Sequence, residues 1–282
     1  MKKGITVHTV VKNEEKWIWY ALMSVLNFVD EILVFDTGSD DKTCKIIKTI
    51  KSGKIIFEEK GEVDSDGLVE LRREQLARTK TDWLLLLDGD EIWPKATFEE
   101  FLKVARNSKE DTWGIVVRAW NLIDDIFHYH EESLNYHWPF APRNFLGWAN
   151  LRGLKKTIPG LHLVGSYPLE AYCDETGIPI QNYGNFHLEF LDGRYFHTTY
   201  LLRSSSRYKD KTVLNRESKN KFELGKKFPQ DFVYPEVFFI KSPEIVDDPW
   251  QKRNLARFFG SLILTPIKKI KRILFGKYLL TS

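Results

Sequence analysis

An unbroken apolar run, WLLLL at 83–87, ends directly in the acidic sequence DGDE at 88–91. Its continuous apolar character favours a central strand of a parallel sheet, covered on both faces by helices. Three carboxylates within four positions repel one another, so their place at the end of such a strand calls for a chemical reason. The run therefore predicts an α/β fold with an acidic cluster at the carboxyl end of a central strand.

Around this run the chain alternates between strand-like and helix-like segments, as α/β proteins with an open sheet of parallel strands do. The β-branched and apolar runs predict strands at 4–11, 31–36, 54–59, 82–88 and 113–120. The helical spacings predict helices at 14–29, 42–52, 68–80 and 97–107. Beyond these, 121–197 is rich in aromatic residues, Gly, Pro and His and is expected to be irregular, whereas the chain from about 198 onward is expected to be helical.

Composition places the chain among folded soluble proteins, with 43% hydrophobic and 29% charged residues. The two cysteines, Cys44 and Cys173, give neither a disulfide framework nor the spacing of a zinc site. The N-terminal sequence has no apolar region of signal-peptide length and no small-residue cleavage site. We therefore expect a cytoplasmic protein.

Polar clusters follow three of the predicted strands, at 12–14, 36–38 and 88–90. In an open α/β sheet the ligand binds at the carboxyl ends of the strands, so these clusters should converge on one edge. Two carboxylates one residue apart can hold Mg²⁺ or Mn²⁺, which prefer oxygen ligands and keep positions open for phosphate oxygens. A solvated acidic turn is the alternative interpretation of an isolated DxD sequence.

Four motifs in order, VVKNEE, VDEILVFDTGSDDKT, an arginine-bearing helix and DWLLLLDGDEIWP, resemble the nucleotide-binding half of family 2 glycosyltransferases. The resemblance covers residues 4–120 and implies a GT-A fold: an open, mostly parallel sheet flanked by helices, an irregular acceptor region and C-terminal helices. We expect a nucleotide-sugar-binding half at 1–120 and an acceptor-side region at 121–200 that completes the domain. A helical region at 201–248 and a basic amphipathic tail at 249–282 would follow.

The resemblance also implies roles for individual residues. Nucleotide binding is expected at Val10, Val11, Glu14, Asp36, Arg72 and Asp88, with Arg73 as the near alternative to Arg72. The metal ion, Mn²⁺ or Mg²⁺, is expected at Asp90, Asp88 and His197. Alternatives remain for several of them: Glu14 as a first-turn acid, Asp36 as a turn acid before Gly38, Arg72 as a surface arginine and His197 as a structural histidine.

The reaction implied by the resemblance is an inverting displacement at the anomeric carbon of a nucleotide-diphospho-sugar, with a UDP-sugar as the expected donor. A carboxylate from the second half would take the proton of the acceptor hydroxyl. The candidates are Glu170, Asp174 and Glu175, in that order, and each could equally be a surface acid. Arg203 could reach the diphosphate or lie on the surface.

Other histidines carry a weaker signal. His128 and His130 have the HxH spacing that would place both on one side of a strand, but no third ligand is evident in the sequence. We interpret them as part of a polar loop.

The C-terminal tail has apolar residues at helical spacing and, from Pro249 onward, eight Lys or Arg and no Asp or Glu. Pro266 is expected to kink or divide the helix. Such a basic amphipathic helix can bind an anionic membrane surface over 250–280, or it can pack on the domain through its apolar face. No motif for nucleic acid accompanies the basic cluster, so no nucleic-acid partner is expected.

Together these features indicate an inverting, metal-dependent glycosyltransferase that acts on a surface glycan or a lipid-linked precursor, either free in the cytoplasm or peripheral to the inner face of the membrane. A nucleotidyltransferase shares the α/β layout but favours a glycine-rich phosphate loop, which VVKNEE lacks. A non-catalytic sugar- or membrane-binding protein on the same scaffold is the third hypothesis.

Overall fold

Strands and helices alternate through the first half of the chain, as the sequence predicts. The computed structural model describes residues 2–211, 213–216, 219 and 221–274. The strands are β1 (Lys2–Val11), β2 (Glu31–Asp36), β3 (Ile55–Glu59), β4 (Thr81–Leu86), β5 (Glu91–Ile92), β6 (Gly114–Ile123), β7 (Asp125–Tyr129), β8 (Ala149–Lys155), β9 (His162–Val164), β10 (Ala171–Cys173), β11 (Leu188–His197) and β12 (Lys226–Lys227). The helices are α1 (Ile18–Val25), α2 (Thr43–Ile47), α3 (Ser65–Arg78), α4 (Lys95–Asn107), α5 (Glu132–Asn135), α6 (Arg207–Lys211) and α7 (Leu255–Leu274), with 3-10 helices at Ile180–Phe186 and Glu236–Phe239.

The N-terminal half of the main sheet is parallel, in the order β3, β2, β1, β4. Register pairs Val11 with Asp36 between β1 and β2, and His8 with Leu86 between β1 and β4. The carboxyl ends of these three strands therefore lie at one edge of the sheet. This arrangement confirms the α/β fold class and brings the polar strand ends together.

The second half of the main sheet is mixed. Strand β8 lies antiparallel between β4 and β6, where Gly153 pairs with both Leu85 and Ile115. Strand β11 runs parallel to β6 and antiparallel to β5, which sets His197 opposite Glu91. The expectation of a mostly parallel sheet thus holds for its N-terminal half, because strands from the region expected to be irregular pair antiparallel beyond β4.

Strand β4 is covered on both faces. Trp83 and Leu85 belong to one hydrophobic core, and Leu84 and Leu86 belong to another on the opposite face. All four side chains are buried. The unbroken apolar run is explained by this position, since alternate residues of a strand point to opposite faces.

Several predicted elements are longer than the observed ones, and one region is wrong. The residues described in 201–248 form the five-residue α6, a short 3-10 helix and the two-residue β12, with turns between them, instead of the expected helices. Here Phe228 and Phe232 pack against Phe196 of the sheet, and irregular backbone lets both rings reach it. Of the two outcomes predicted for Pro266, a kink or a division, the division does not occur, because α7 continues through that residue.

Candidate active site

A cavity of about 610 Å³ opens at the carboxyl ends of β1 and β4. Its walls come from the end of β1, the loop after β4, α3, β8, the segments 167–172 and 213–216, and the single residues Arg203 and Lys219. The side chains lining it include five acids and six basic residues: Glu14, Glu62, Asp88, Asp90 and Glu170, and Lys12, Arg72, Arg152, Arg203, Arg216 and Lys219. The site expected from the sequence is therefore a cavity in which charges of both signs meet.

Asp88 lies between two arginines. Arg152 Nη2 donates to Asp88 Oδ2 at 3.0 Å, and Arg72 Nη2 lies 3.8 Å from Asp88 Oδ1. Arg152 also donates to Glu91, whose side chain is fully buried beneath the cavity. Burial opposes ionisation of Asp88, but Arg152 and Arg72 outweigh it and hold the pKa of Asp88 below its ordinary value.

Asp90 is almost fully buried and has two partners from the second half of the chain. Arg203 Nη1 donates to Asp90 Oδ2 at 2.6 Å, and His197 Nε2 lies 3.4 Å from the same oxygen. Burial would raise the pKa of Asp90, but Arg203 and His197 hold it well below the ordinary value. Asp90 is therefore ionised at neutral pH.

Glu14 shares Arg203 with Asp90. Arg203 Nη1 lies 3.2 Å from Glu14 Oε1, which also accepts a hydrogen bond from Arg216 Nη2. Burial raises the pKa of Glu14 to about 8 despite both arginines, and the negative charge on the nearby Asp90 adds to this effect. A Cβ on Gly89 would lie 3.0 Å from Glu14 Cγ, so the glycine between the two aspartates makes room for this buried carboxyl.

The imidazole of His197 has a defined orientation. Its Nδ1 lies 3.1 Å from Asn121 Oδ1, an oxygen that only accepts, so Nδ1 carries a proton. In the neutral ring, Nε2 would then present a lone pair to the carboxylate of Asp90. Arg203 Nη1, 2.6 Å from Asp90 Oδ2, already places a positive charge beside this carboxylate.

The donor atoms of Asp90 and His197 are of types that suit a divalent cation, because Mn²⁺ and Mg²⁺ accept carboxylate oxygen and Mn²⁺ also accepts imidazole nitrogen. Such an ion would share the Asp90 carboxylate with Arg203. The amide of Asn121 would orient the imidazole in the manner usual for metal-binding histidines. Among the residues that the structure describes, no three His, Cys, Asp or Glu side chains are grouped closely enough to hold a metal ion. Asp88 instead faces Arg152 and Arg72.

The residues expected to bind the nucleotide divide into two groups. Val10, Val11, Glu14, Arg72 and Asp88 all line the cavity. The lining residue after β2 is Thr37, and Asp36 itself accepts hydrogen bonds from the backbone of Gly38 and Ser39 at 3.0 and 2.9 Å. The oxygens of Asp36 thus serve the turn, which was the alternative interpretation of this residue.

The two adjacent arginines of α3 point in different directions. Arg72 lines the cavity, whereas Arg73 donates to the carbonyl oxygen of Leu163 at 2.9 Å and pairs with Glu70. Arg72, the preferred candidate, is the one that faces the site.

Among the three candidate bases, only Glu170 lines the cavity. Its Oε1 lies 3.4 Å from Arg72 Nε, and its buried Oε2 has no hydrogen-bond partner among the described residues. Asp174 instead holds a turn: Tyr183 and Thr176 donate to it and lower its pKa to about 2. Glu175 is exposed in the same turn.

The HxH pair is used in local contacts. His128 Nδ1 lies 2.6 Å from Asp125 Oδ1, and His130 lies between Glu132 and Glu223 at 3.3 and 3.4 Å. The two histidines therefore have different carboxylate partners. The predicted polar loop is wrong, because His128 lies in strand β7 and His130 directly follows that strand.

Three basic residues of the cavity, Arg152, Arg216 and Lys219, were not expected from the sequence. Arg216 donates to the backbone oxygens of Asn13 and Lys12, so it holds the end of β1 from a segment about 200 residues away. Lys219 lines the cavity with a lowered pKa, caused first by burial and then by Arg203. Arg152 could have been noticed as a charged residue within a short, largely apolar strand. Arg216 and Lys219 lie in a charged segment without periodicity, which gives no such indication.

The chain matches a known family over a region that includes Asp88 and Asp90 of this site. Residues 6–161, more than half of the chain, match the profile described as glycosyl transferase family 2. The chain belongs to this family, which confirms the resemblance seen in its motifs.

Curated relatives match over a shorter stretch. An uncharacterized glycosyltransferase of Rickettsia bellii is 28% identical over 113 residues, and one of Rickettsia typhi is 31% identical over 111 residues. These matches cover 40% and 39% of this chain and 36% of each relative, so the aligned part is about a third of their length. A TPR repeat-containing protein of Synechococcus elongatus is 32% identical over 87 residues, which is 31% of this chain and 20% of that protein.

Two solved structures show more distant similarity. S. aureus TarS is 17% identical with a TM-score of 0.47, over 78% of this chain and 43% of that one. Glucosyl-3-phosphoglycerate synthase from Mycobacterium tuberculosis, in complex with Mg²⁺ and UDP, is 26% identical with a TM-score of 0.32, over 42% of this chain and 44% of that one. Similarities at these TM-scores do not assign a ligand to this chain.

Proposed function

We propose that this protein transfers a sugar from a nucleotide-diphospho-sugar, with UDP as the nucleotide, to a hydroxyl acceptor, with inversion at the anomeric carbon. The observation that carries the proposal is the cavity itself, which unites Asp88 and Asp90 with four arginines and two further acids. These acids, Glu14 and Glu170, each have a buried oxygen without a hydrogen-bond partner among the described residues. Family membership supports the same reaction class.

The donor diphosphate would bind among the arginines. Arg72, Arg152 and Arg203 all line the cavity, and the Nε atoms of all three are buried without a hydrogen-bond partner among the described residues. Guanidinium groups bind phosphate oxygens through two parallel hydrogen bonds, so unpaired donors here suit a diphosphate. Val10, Val11 and Thr37 at the strand ends would contact the nucleoside.

Glu170 would act as the base. The acceptor oxygen attacks the anomeric carbon, the bond from that carbon to the diphosphate oxygen breaks, and the hydroxyl proton passes to Glu170 Oε2. Arg72 contacts both Glu170 and Asp88, at 3.4 and 3.8 Å, and so links the acceptor side of the cavity to the donor side. Arg203 and Lys219 would stabilise the negative charge on the departing diphosphate.

We include a divalent cation, Mn²⁺ or Mg²⁺, in the proposal, with Asp90 and His197 as the residues that would hold it. When bound, it would add positive charge near the leaving diphosphate. Asp88, the other expected ligand, would remain with Arg152 on the nucleotide side.

The proposed acceptor is a hydroxyl of a surface glycan or of a lipid-linked precursor of the cell envelope. Such acceptors would place the protein at the inner face of a membrane, and the other proposed location is the cytoplasm at large.

Donor binding can be tested by thermal shift with UDP-, GDP- and other nucleotide-sugars, each with and without Mn²⁺. UDP-sugars should raise the Tm, and Asp90→Asn should abolish the extra shift that Mn²⁺ gives. Asp192→Asn, whose side chain is 99% exposed, is the matched control and should respond like the wild type. No Tm shift with any nucleotide would overturn the proposal.

Turnover can be tested by UDP release from the donor that binds. Glu170→Gln should keep the thermal shift but lower the rate by about 10²–10⁴-fold, because it can no longer take a proton. Glu175→Gln, a change in an exposed neighbouring acid, should leave the rate unchanged. Donor binding with no release by the wild type would instead favour a non-catalytic binding protein.

A further inference from the structure

Helix α7 is attached to the protein through its polar side. Arg257 donates to a carboxylate oxygen of Asp124 and, at 2.9 Å, to the carbonyl oxygen of Lys221. One turn further on, Ser261 is fully buried against the same aspartate. These contacts fix one side of the helix through polar side chains of α7, and the guanidinium of Arg257 also lies 4.9 Å from the centre of the Phe222 ring.

The same polar side continues toward the end of the helix. Thr265 Oγ1 accepts a hydrogen bond from the backbone N–H of Leu224 at 2.7 Å, and Lys268 Nζ lies 3.5 Å from Glu223 Oε1. The residues that dock are thus spaced by three or four positions, which places them on one face of a helix.

The opposite face of α7 is apolar and exposed. Six large side chains on it are between 46% and 73% exposed: Leu255, Phe259, Leu262, Ile263, Ile267 and Ile270. An ordinary surface helix buries its apolar stripe and exposes its polar one. The alternative in which α7 packs on the domain through its apolar face is therefore wrong.

An exposed apolar face of this size indicates a partner. Among the described residues, no helix is long and apolar enough to cross a membrane. The 20 residues of α7 could instead lie in the plane of a membrane, over about 30 Å at 1.5 Å per residue.

Charge distinguishes a lipid surface from a second copy of the chain. The stretch from Pro249 to the C-terminus has eight basic and no acidic residues, and Lys269 is exposed beside the apolar face. A twofold dimer through this face would place the same basic residues opposite one another. An anionic leaflet would complement them.

We propose that the exposed face of α7 docks the protein on a membrane that contains anionic phospholipid. The apolar side chains enter the boundary between headgroups and acyl chains, Lys269 contacts the headgroups, and the contacts with Asp124 and Glu223 hold the body of the protein to the helix. This face of α7 would be the surface that holds the protein at the membrane position proposed above. Docking through it does not depend on sugar transfer.

The test is co-sedimentation of the full chain with vesicles, without any donor. Vesicles of phosphatidylcholine with phosphatidylglycerol should bind the protein, and vesicles of phosphatidylcholine alone should bind it several-fold less. The double variant Phe259→Gln/Ile263→Gln should lower the partition coefficient on the order of 100-fold, from the loss of two buried apolar side chains. Its control is Val233→Gln, which changes an apolar residue exposed to 77% elsewhere and should bind normally.

The electrostatic contribution is tested separately. Lys269→Gln should lower binding about five-fold, whereas Lys103→Gln, at an exposed position of α4, should not change it. The Tm of each variant should match that of the wild type, since the substituted side chains are exposed.

Two results would overturn the inference. One is the failure of the wild type to bind anionic vesicles. The other is a concentration-dependent dimer in light scattering that Phe259→Gln/Ile263→Gln converts to monomer while vesicle binding is unaffected, because a second copy would then cover the face. Neither result would affect the nucleotide-sugar experiments.

Discussion

Single charged residues of the second half of the chain hold the acidic cluster in place. Arg152 contacts both Asp88 and Glu91, and its side chain is only 11% exposed. Each carboxylate alone would be costly to bury, since an unpaired buried charge loses its hydration without compensation. The arginine therefore permits the acids to stand at the end of a buried strand.

Removal of this arginine should be strongly destabilising. We expect Arg152→Met to lower the free energy of unfolding by about 3–5 kcal/mol, because it leaves the buried carboxyl of Glu91 without its cationic partner. Arg73→Met, at the half-exposed arginine of α3, should cost less than about 1 kcal/mol. Urea denaturation measures both values.

A second substitution tests the reason for that loss. Adding Glu91→Gln to Arg152→Met should recover part of the stability, since the uncompensated charge is then gone. If the double variant is less stable than Arg152→Met alone, the arginine stabilises the protein through packing and the electrostatic account is wrong.

At this scale, the sequence was informative where a residue belongs to a local motif. Asp88, Asp90 and Arg72 lie in or beside a strand or helix whose pattern is legible, and all three face the cavity. Arg203 and Arg216 reach the site from segments more than 100 residues away. The sequence around Arg203 and Arg216 does not show that the folded chain brings them to the site. In the sequence, both therefore look like ordinary surface arginines.

Among the elements, β8 most changes the site relative to the prediction. It lies between β4 and β6, and three of its residues, Asn150, Leu151 and Arg152, line the cavity together with Trp148 just before it. At the next position, Gly153 faces the other side, where a Cβ would lie 2.7 Å from the ring of Phe101 in α4. Strand β8 can therefore pack against Phe101 only with a residue as small as glycine at position 153.

This close approach gives a prediction for the element. Gly153→Ala should lower the free energy of unfolding by about 1–3 kcal/mol, because the added methyl group pushes Phe101 from its place in a buried core. Gly53→Ala is the matched control: no atom lies within 4 Å of the position its added methyl group would take, and it should change stability little. Thermal unfolding of the two variants distinguishes them, and equal Tm values would show that α4 can move without cost.

The elements of the first half could be read from the sequence because their periodicity is regular and their turns are short. Strand β8 could not, since its ANLRGLK sequence is short and its burial depends on partners that come from both halves of the chain. The prediction of helices in 201–248 failed for a related reason. Its apolar residues suggest a helix, but several are aromatic side chains that pack individually against the sheet.

Across the whole molecule, an aromatic cluster ties the irregular C-terminal segment to the sheet. Phe228 stacks on Phe196 of β11 at 5.5 Å between centroids and on Phe232 at 4.0 Å. Phe228 is buried, whereas Phe239 nearby in the chain is 69% exposed. The cluster adds to the short backbone pairing of β12 with β7 in holding this segment to the sheet.

Truncation of this cluster should loosen the segment. Phe228→Ala should cost about 3–5 kcal/mol and should increase cleavage within 221–250 in limited proteolysis. Phe239→Ala removes an exposed ring and should change neither quantity appreciably. Unchanged proteolysis of Phe228→Ala would show that the segment is held by other contacts.

The position of β8 also has a consequence for biosynthesis. Leu85 in β4 pairs with Gly153, so the outer edge of β4 has no partner until a much later part of the chain has left the ribosome. Translation at about 5–20 residues per second makes that interval several seconds long. An open, apolar edge strand is a template for pairing with other chains. The nascent protein should therefore depend on chaperones during this interval, and slow codons between β4 and β8 would prolong the exposure.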